Sequence, residues 1–119
     1  MEPHLVVQDR SLSTESPRVA IREENLEVIK RAMLQVVESD YGTGQLARVN
    51  FEKLAGKTGT AQAPPLEAHS WMTGFFPYKD PKLAFVVFVE HGGSGGITSA
   101  RLVKQMLEAW RDVNVAPIS

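Results

Sequence analysis

Apolar residues recur at helical spacing in two stretches, one on each side of the middle of the chain. In residues 22–39 they are Leu26, Ile29, Met33, Val36 and Val37. In residues 97–110 they are Val103, Met106, Leu107 and Trp110. This spacing puts the apolar side chains on one side of a helix, and Glu23 and Glu24 add negative charge where the helix dipole favours it. We therefore predict two amphipathic helices.

The first predicted helix is followed by a short segment that carries two glycines. Gly42 and Gly44 flank Thr43 directly after Asp40 and Tyr41. Glycine adopts helix-ending and turn conformations that other residues resist. We expect these two glycines to end the helix for that reason.

Three segments between the helices have the composition of β-strands. Residues 51–62 are extended in character but carry Gly56 and Gly59, and residues 70–77 are rich in aromatic side chains. Residues 83–91 form a nearly unbroken run of Phe and Val, which is too short for a typical helix and strongly β-prone. We predict three strands, the last of them central and buried on both faces.

The order of these elements predicts an α+β fold. Short connections favour an antiparallel sheet of about three strands, with the amphipathic helices laid on a sheet face. Residues 1–20 mix a short apolar run with Ser, Thr and Pro, and we expect a loop with one or two short extended pieces. The glycines of residues 92–96 are expected to form a flexible turn before the last helix.

Composition narrows the classes of function. The chain has 119 residues, 43% hydrophobic and 23% charged, with a formal net charge of −1. This is an ordinary globular composition, and it offers no general attraction to nucleic acid or to an anionic membrane. The absence of cysteine excludes disulfides and thiolate chemistry. No trio of His, Asp or Glu has metal-ligand spacing, so we expect no metal and no cofactor.

One polar cluster, residues 56–60 with the sequence Gly-Lys-Thr-Gly-Thr, lies inside a strand-like segment. A lysine, two hydroxyls and accessible backbone suit a carboxylate or a phosphate. A nucleotide-binding phosphate loop would need glycine at Phe51 and a following helix, and a dinucleotide fingerprint in the later glycine run would need glycine at Thr98. Both nucleotide alternatives are rejected on those grounds.

The remaining interpretation is the Lys-Thr-Gly box of serine transpeptidases and β-lactamases. The box is flanked by three further motifs, GTGQLA at residues 42–47, HSWMTGFFP at residues 69–77 and VEHGG at residues 89–93. With AGKTGTAQ at residues 55–62, they resemble class B penicillin-binding proteins, most closely the elongation-type transpeptidases of rod-shaped bacteria. The resemblance covers roughly residues 22–110 and is strong from Leu54 onward.

The resemblance implies a role for each residue of the box. Lys57 would join the proton network around a nucleophile, and the Thr58 and Thr60 hydroxyls would hold the terminal carboxylate of a D-Ala-D-Ala stem peptide or of a β-lactam. The backbone N–H of Thr60 would form half of an oxyanion hole, because a strand-edge N–H is fixed in place when charge develops. Gly59 would leave room for the peptide alongside.

The chain departs from the family pattern at a decisive point. None of its eight serines is followed by Lys three residues on or by Asn two residues on, so the Ser-x-x-Lys and Ser-x-Asn boxes are missing. We expect residues 1–119 to be the carboxy-terminal fragment of a transpeptidase domain, inactive alone and prone to self-association. The parent would lie on the extracytoplasmic face of the bacterial inner membrane, with an upstream anchor and cell-wall synthesis partners. The alternative is a non-catalytic module of the same fold that binds peptidoglycan or a partner.

The other candidate residues have ordinary structural interpretations. His69 is expected to be a solvated loop residue, and Glu90 and His91 an exposed pair at the end of a strand. The aromatic residues at strand and helix spacing are expected to be core. They are Trp71, Phe75, Phe76 and Trp110.

Overall fold

The computed structural model of the chain describes residues 4–5 and 19–115. Its helices are α1 (Glu23–Glu38) and α2 (Ala100–Val115). Its strands are β1 (His4–Leu5), β2 (Ala55–Ala63), β3 (Leu66–Phe76) and β4 (Leu83–Val89). A 3₁₀ turn (Gln45–Ala47) follows α1, and a π-helical turn (Gly95–Ser99) leads into α2.

The strands form one antiparallel sheet in the order β1-β4-β3-β2. The three long strands are consecutive in sequence and pair as a meander, which confirms the predicted α+β fold. The two-residue β1 adds a short fourth strand beside β4. It lies in the predicted loop of residues 1–20, of which residues 1–3 and 6–18 lie outside the described part of the chain.

One face of the sheet, here called the inner face, carries the core. Its buried side chains come from alternate positions of β3 and β4 and include Met72, Phe76, Phe85, Val87 and Val89. Val103 and Leu107 of α2 are fully buried in the same cluster. The Trp110 ring packs edge-on against Phe76 at a centroid distance of 5.8 Å. The predicted apolar stripe of the last helix is therefore the side that covers the sheet.

The opposite face of the sheet, here called the outer face, is largely exposed. Val86 in β4 is 51% exposed and Trp71 in β3 is 41% exposed. The prediction that β4 is buried on both faces was wrong for this chain. The assignment of Trp71 and Phe75 to the core was also wrong, because both lie on the outer face and neither belongs to the core cluster. Val103 and Leu107 of α2 pack on the inner face, so outward positions of β4 such as Val86 remain in contact with solvent. Trp71 is instead shielded in part by Phe88, at 4.4 Å between ring centroids.

Helix α1 is covered over only part of its length. Val37, near its end, is completely buried, whereas Leu26 and Ile29 in its first half are 40% and 46% exposed. All three belong to the predicted apolar stripe, so the helix is present but half of its stripe has no cover within the described residues.

The glycines after α1 allow close approach rather than an unusual backbone conformation. A Cβ on Gly42 would lie 2.0 Å from the Val36 carbonyl oxygen, where no atom fits. Within the described residues the only glycine with positive φ is Gly93, so the predicted reason for Gly42 and Gly44 was wrong. The chain turns back tightly against the helix end, and the Gly44 N–H donates to the Val36 carbonyl at 2.8 Å.

Candidate anion-binding site

The polar cluster of residues 56–60 lies in β2, which is an edge strand of the sheet in the described part of the chain. Thr58 pairs with Met72 and Thr60 pairs with Ser70 across the β2–β3 ladder. Met72 and Ser70 are inner-face residues, so the two threonine side chains share that face. Lys57 and Gly59 point to the outer face. Thr58 is buried, while Lys57 and Thr60 are exposed.

Each threonine hydroxyl has a hydrogen-bond partner from a distant part of the chain. The Thr58 and Thr43 hydroxyl oxygens are 2.8 Å apart, and either can donate. The Thr60 hydroxyl oxygen accepts a hydrogen bond from the Gly95 N–H at 3.0 Å. These partners lie 15 and 35 residues away, and no spacing rule along the chain could have indicated them. In the sequence, Thr43 is part of the GTGQLA motif and Gly95 is part of the glycine run, and neither position indicates these contacts.

The backbone of β2 presents alternate groups to its open edge. A Cβ on Gly95 would lie 2.3 Å from the Gly59 carbonyl oxygen and 2.5 Å from the Trp71 carbonyl oxygen. Both carbonyl oxygens must therefore point into the gap between β2 and β3, because the carbonyls of a non-hydrogen-bonded pair point away from each other. Gly59 and Trp71 are thus a hydrogen-bonded pair of the ladder. Such pairs alternate with non-bonded ones in an antiparallel ladder. The Thr60 N–H and the Thr58 carbonyl consequently point away from β3, and the Lys57 Nζ donates to that carbonyl at 2.5 Å.

The turn that carries Gly95 is held on β3 by buried serines. The Ser70 hydroxyl donates to the Ser94 carbonyl at 3.1 Å and lies 2.7 Å from the Ser99 hydroxyl. The Ser99 N–H donates to the Ser70 hydroxyl oxygen at 3.0 Å, and Ser70 and Ser99 are both fully buried. The predicted flexible turn at residues 92–96 is thus a packed π-helical turn in its second half. Gly95 fits there because the backbone of β2 and β3 leaves no space for a side chain.

Gly59 is under no such constraint within the chain. A Cβ at this position would meet only the Trp71 Cβ, at the ordinary contact distance of 3.5 Å. The backbone φ of Gly59 is not positive; among the described glycines only Gly93 has a positive φ. Nothing in the described residues therefore requires glycine at position 59.

The two histidines near the glycine run contact each other rather than standing separately in solvent. The His91 N–H donates to the His69 Nδ1 at 3.0 Å, and the ring centroids are 4.5 Å apart. The His91 Nδ1 lies 2.7 Å from the Glu67 carbonyl oxygen, and its Nε2 lies 3.7 Å from the Glu90 carboxylate. His69 is a partly buried residue of β3, so its assignment as a solvated loop residue was wrong, and His91 is also partly buried. A φ of 52° at His91 lets the chain leave β4 sharply.

The described part of the chain, residues 4–5 and 19–115, has neither a metal-site arrangement nor a membrane-spanning helix. No group of three or more His, Asp or Glu side chains there converges as a metal site would require. None of the helices in residues 4–5 and 19–115 is long and apolar enough to cross a membrane.

Comparison with known proteins identifies one family. The family model of the penicillin binding protein transpeptidase domain matches residues 1–108. The peptidoglycan D,D-transpeptidase MrdA of Haemophilus influenzae is 33% identical over 99 residues, which are 69% of this chain and 15% of that protein.

Two solved structures share the fold of the chain. PBP2 of Pseudomonas aeruginosa, in complex with WCK 5153, has a TM-score of 0.70 and 35% identity, and the match covers 79% of this chain and 21% of that one. PBP2 of Helicobacter pylori, in a complex with MreC, has a TM-score of 0.74 and 28% identity, over 87% of this chain and 21% of that one. The chain thus spans about a fifth or less of the length of these relatives.

Proposed function

Because the chain belongs to the penicillin-binding protein transpeptidase domain family, in the class B branch of MrdA and PBP2 type, we propose that it forms the carboxylate-binding and oxyanion-stabilising wall of a serine D,D-transpeptidase site. We further propose that residues 1–119 are the carboxy-terminal part of that domain. The substrate is the D-Ala-D-Ala end of a peptidoglycan stem peptide, and β-lactams bind in its place.

The reaction assigned to the whole domain has two acyl-transfer steps. A serine hydroxyl attacks the carbonyl of the penultimate D-Ala, the C–N bond to the terminal D-Ala breaks, and that D-Ala leaves with a proton on its amine. An amine of a neighbouring strand then attacks the acyl-enzyme ester, forms the cross-link and releases the serine. A negative charge develops on the carbonyl oxygen in each step, so fixed donors near that oxygen lower both barriers.

The observation that carries the proposal is the arrangement of donors along the edge strand β2. The Thr58 and Thr60 hydroxyls share the inner face, and both are held by contacts within the chain. The Thr60 N–H points to the open edge, as the ladder alternation around the Gly59–Trp71 pair requires. Two hydroxyls suit the terminal carboxylate, and the edge N–H suits the carbonyl oxygen one residue earlier in the substrate.

Lys57 supplies positive charge at the same edge. Its Nζ is already bent toward the edge, where it donates to the Thr58 carbonyl at 2.5 Å. A lysine ammonium has three donors, so this contact leaves two of them for a proton network around the nucleophile. We propose that, in the complete domain, Lys57 uses these two donors to bind the proton network around the nucleophile.

No serine of these 119 residues lies in a Ser-x-x-Lys sequence, so we propose that the nucleophile is not among them. In this proposal it comes from another part of the full-length protein, on the extracytoplasmic face of the bacterial inner membrane. The chain alone is then unreactive toward β-lactams. A partner of the MreC kind is proposed for the full-length protein because one PBP2 relative was solved with MreC.

Labelling with a fluorescent penicillin tests the proposal. The full-length protein that contains this segment and the isolated 119-residue chain are each exposed to the probe, followed by a denaturing gel and intact-mass measurement. We expect a covalent adduct on the full-length protein and none on the isolated chain. A Thr60→Val variant of the full-length protein should be acylated roughly 10- to 100-fold more slowly, since a hydrogen bond to a charged group contributes about 1.5–3 kcal/mol.

Two results would contradict the proposal in different ways. An unlabelled full-length protein, under conditions that label a control transpeptidase, would favour the non-catalytic binding module. A label on the isolated chain would show that the nucleophile lies within residues 1–119.

A further inference from the structure

Two hydrogen bonds from outside β2 reach the two threonine hydroxyls of the candidate site. We infer that Thr43 and the Gly95 N–H are positioning groups, which orient the Thr58 and Thr60 hydroxyls so that both protons face the bound carboxylate. The inference rests on the proposed function, because it assigns a role within the same carboxylate site.

The chemistry of the hydroxyl group sets the requirement. A threonine hydroxyl has a single proton to donate, and a carboxylate can only accept. A threonine that donates its proton within the protein therefore cannot hold the carboxylate at the same time. A threonine that accepts a hydrogen bond from a neighbour keeps its proton free, and the lone pair that is occupied restricts where the proton points.

Gly95 meets this requirement without ambiguity. A backbone N–H can only donate, so the Thr60 oxygen is the acceptor in the 3.0 Å contact. The Thr60 side chain is exposed, so its proton is accessible to a ligand. Gly95 is itself fixed, because a Cβ there would lie 2.3 Å from the Gly59 carbonyl oxygen.

Thr43 plays the matching part for Thr58. Among the described residues, the contact between their hydroxyl oxygens is the only hydrogen bond made by either threonine side chain. When a carboxylate accepts the Thr58 proton, Thr43 must be the donor in the 2.8 Å contact. Thr43, Thr58 and the carboxylate then form a hydrogen-bond chain that runs in one direction, and each bond in such a chain strengthens the next.

The two positioning groups belong to one packed unit. A Cβ on Gly96 would lie 2.5 Å from the Thr43 carbonyl oxygen, so the loop after α1 touches the turn that carries Gly95. The loop is tied to α1 through the Gly44 N–H, and the turn is tied to β3 through Ser70. Both donors therefore face β2 from one continuous surface, which can hold the two hydroxyls in a fixed relative position.

The test compares Thr43→Val and Thr43→Ser in the full-length transpeptidase that contains this segment. Second-order acylation rate constants are measured with benzylpenicillin and with its methyl ester, which lacks the charged carboxylate. We expect Thr43→Val to slow benzylpenicillin roughly tenfold, a typical loss for a hydrogen bond in a charged network. The methyl ester should slow by less than about twofold, and Thr43→Ser should restore the benzylpenicillin rate, because it keeps the hydroxyl.

Each of the other outcomes excludes either the positioning role of Thr43 or the proposed function. Equal slowing of both β-lactams by Thr43→Val, or no rescue by Thr43→Ser, would show that Thr43 only supports the fold. No slowing at all would exclude a positioning role while leaving the proposed function intact. A wild-type protein that neither compound acylates would overturn the proposed function, and this inference with it. Matched melting temperatures of the two variants confirm that the rate difference does not come from unfolding.

Discussion

The two glycines of the Gly-Lys-Thr-Gly segment should respond to alanine in opposite ways. Gly59→Ala adds a methyl group that meets only the Trp71 Cβ, at 3.5 Å. Gly56→Ala adds one that would lie 2.7 Å from the Met72 Cε and 3.1 Å from the Thr73 carbonyl oxygen. Met72 is fully buried, so it has little space in which to move. Comparing the two alanine variants therefore distinguishes a glycine that the fold requires from a glycine that only a bound ligand requires.

The expected magnitudes follow from these contacts. Overpacking a buried site costs about 1–3 kcal/mol, so Gly56→Ala should lower the melting temperature of the chain by at least a few degrees. Alanine at position 59 needs no strained φ and removes freedom from the unfolded chain, which stabilises by about 0.4–1 kcal/mol. Gly59→Ala should therefore melt at or slightly above the wild-type temperature.

In the full-length protein, Gly59→Ala should slow acylation even though it leaves the melting temperature unchanged or slightly raised. If a bound peptide or β-lactam also covers the outer side of the β2 edge, a methyl group at Gly59 displaces it from the Thr60 N–H, and a misplacement of about 1 Å can lower the rate roughly 100-fold. Thermal unfolding followed by circular dichroism gives the stability, and the fluorescent penicillin gives the acylation rate of the same variants.

Two results would refute this reasoning. Destabilisation of Gly59→Ala by more than about 1 kcal/mol would mean that the chain itself requires glycine there, contrary to the 3.5 Å contact. Unchanged acylation by a well-folded Gly59→Ala protein would mean that no ligand approaches this position, and the orientation proposed for the substrate would be wrong.

Two further predictions concern stability and association. Ser70→Ala should destabilise the chain by about 1–3 kcal/mol, because it leaves the fully buried Ser99 without its hydroxyl partner. Ser94→Ala should change stability by less than about 0.5 kcal/mol, since Ser94 is exposed and contributes only its backbone carbonyl to that network. Chemical denaturation measures both variants, and equal losses of stability would show that the Ser70 hydroxyl does not have the stabilising role assigned to it. The isolated chain should self-associate through its outer face, where Val86 is 51% and Trp71 41% exposed. Sedimentation velocity should show concentration-dependent association that Val86→Lys weakens, and a wild-type monomer at all concentrations would exclude this surface as an interface.

Much of the architecture is local information, and the amino-acid sequence determined it. Helical spacing of apolar residues predicted α1 and α2, and strand-like composition predicted three consecutive strands in the observed order. Short connections predicted the antiparallel meander, because they cannot carry a crossover. The motifs around residues 56–60 identified the family, and the missing Ser-x-x-Lys box is likewise a fact of the sequence alone.

The tertiary structure decided which apolar positions are covered. The unbroken Phe and Val run of β4 indicated burial on both faces, yet Val86 is 51% exposed. An apolar side chain can be buried, but whether it is buried depends on whether another element packs against it. The same limit explains why Leu26 and Ile29, in the first half of the apolar stripe of α1, are 40% and 46% exposed among the described residues.

The site depends on tertiary structure for a second reason. Lys57, Thr58 and Thr60 could be named from a motif, but the groups that hold the two hydroxyls are Thr43 and Gly95, 15 and 35 residues from their partners. Hydrogen bonds of such separation leave no periodic trace in the sequence, because they arise only when the loop after α1 and the turn before α2 pack against the edge of β2. The sequence thus indicated the residues of the candidate site, and the fold alone determined their orientation.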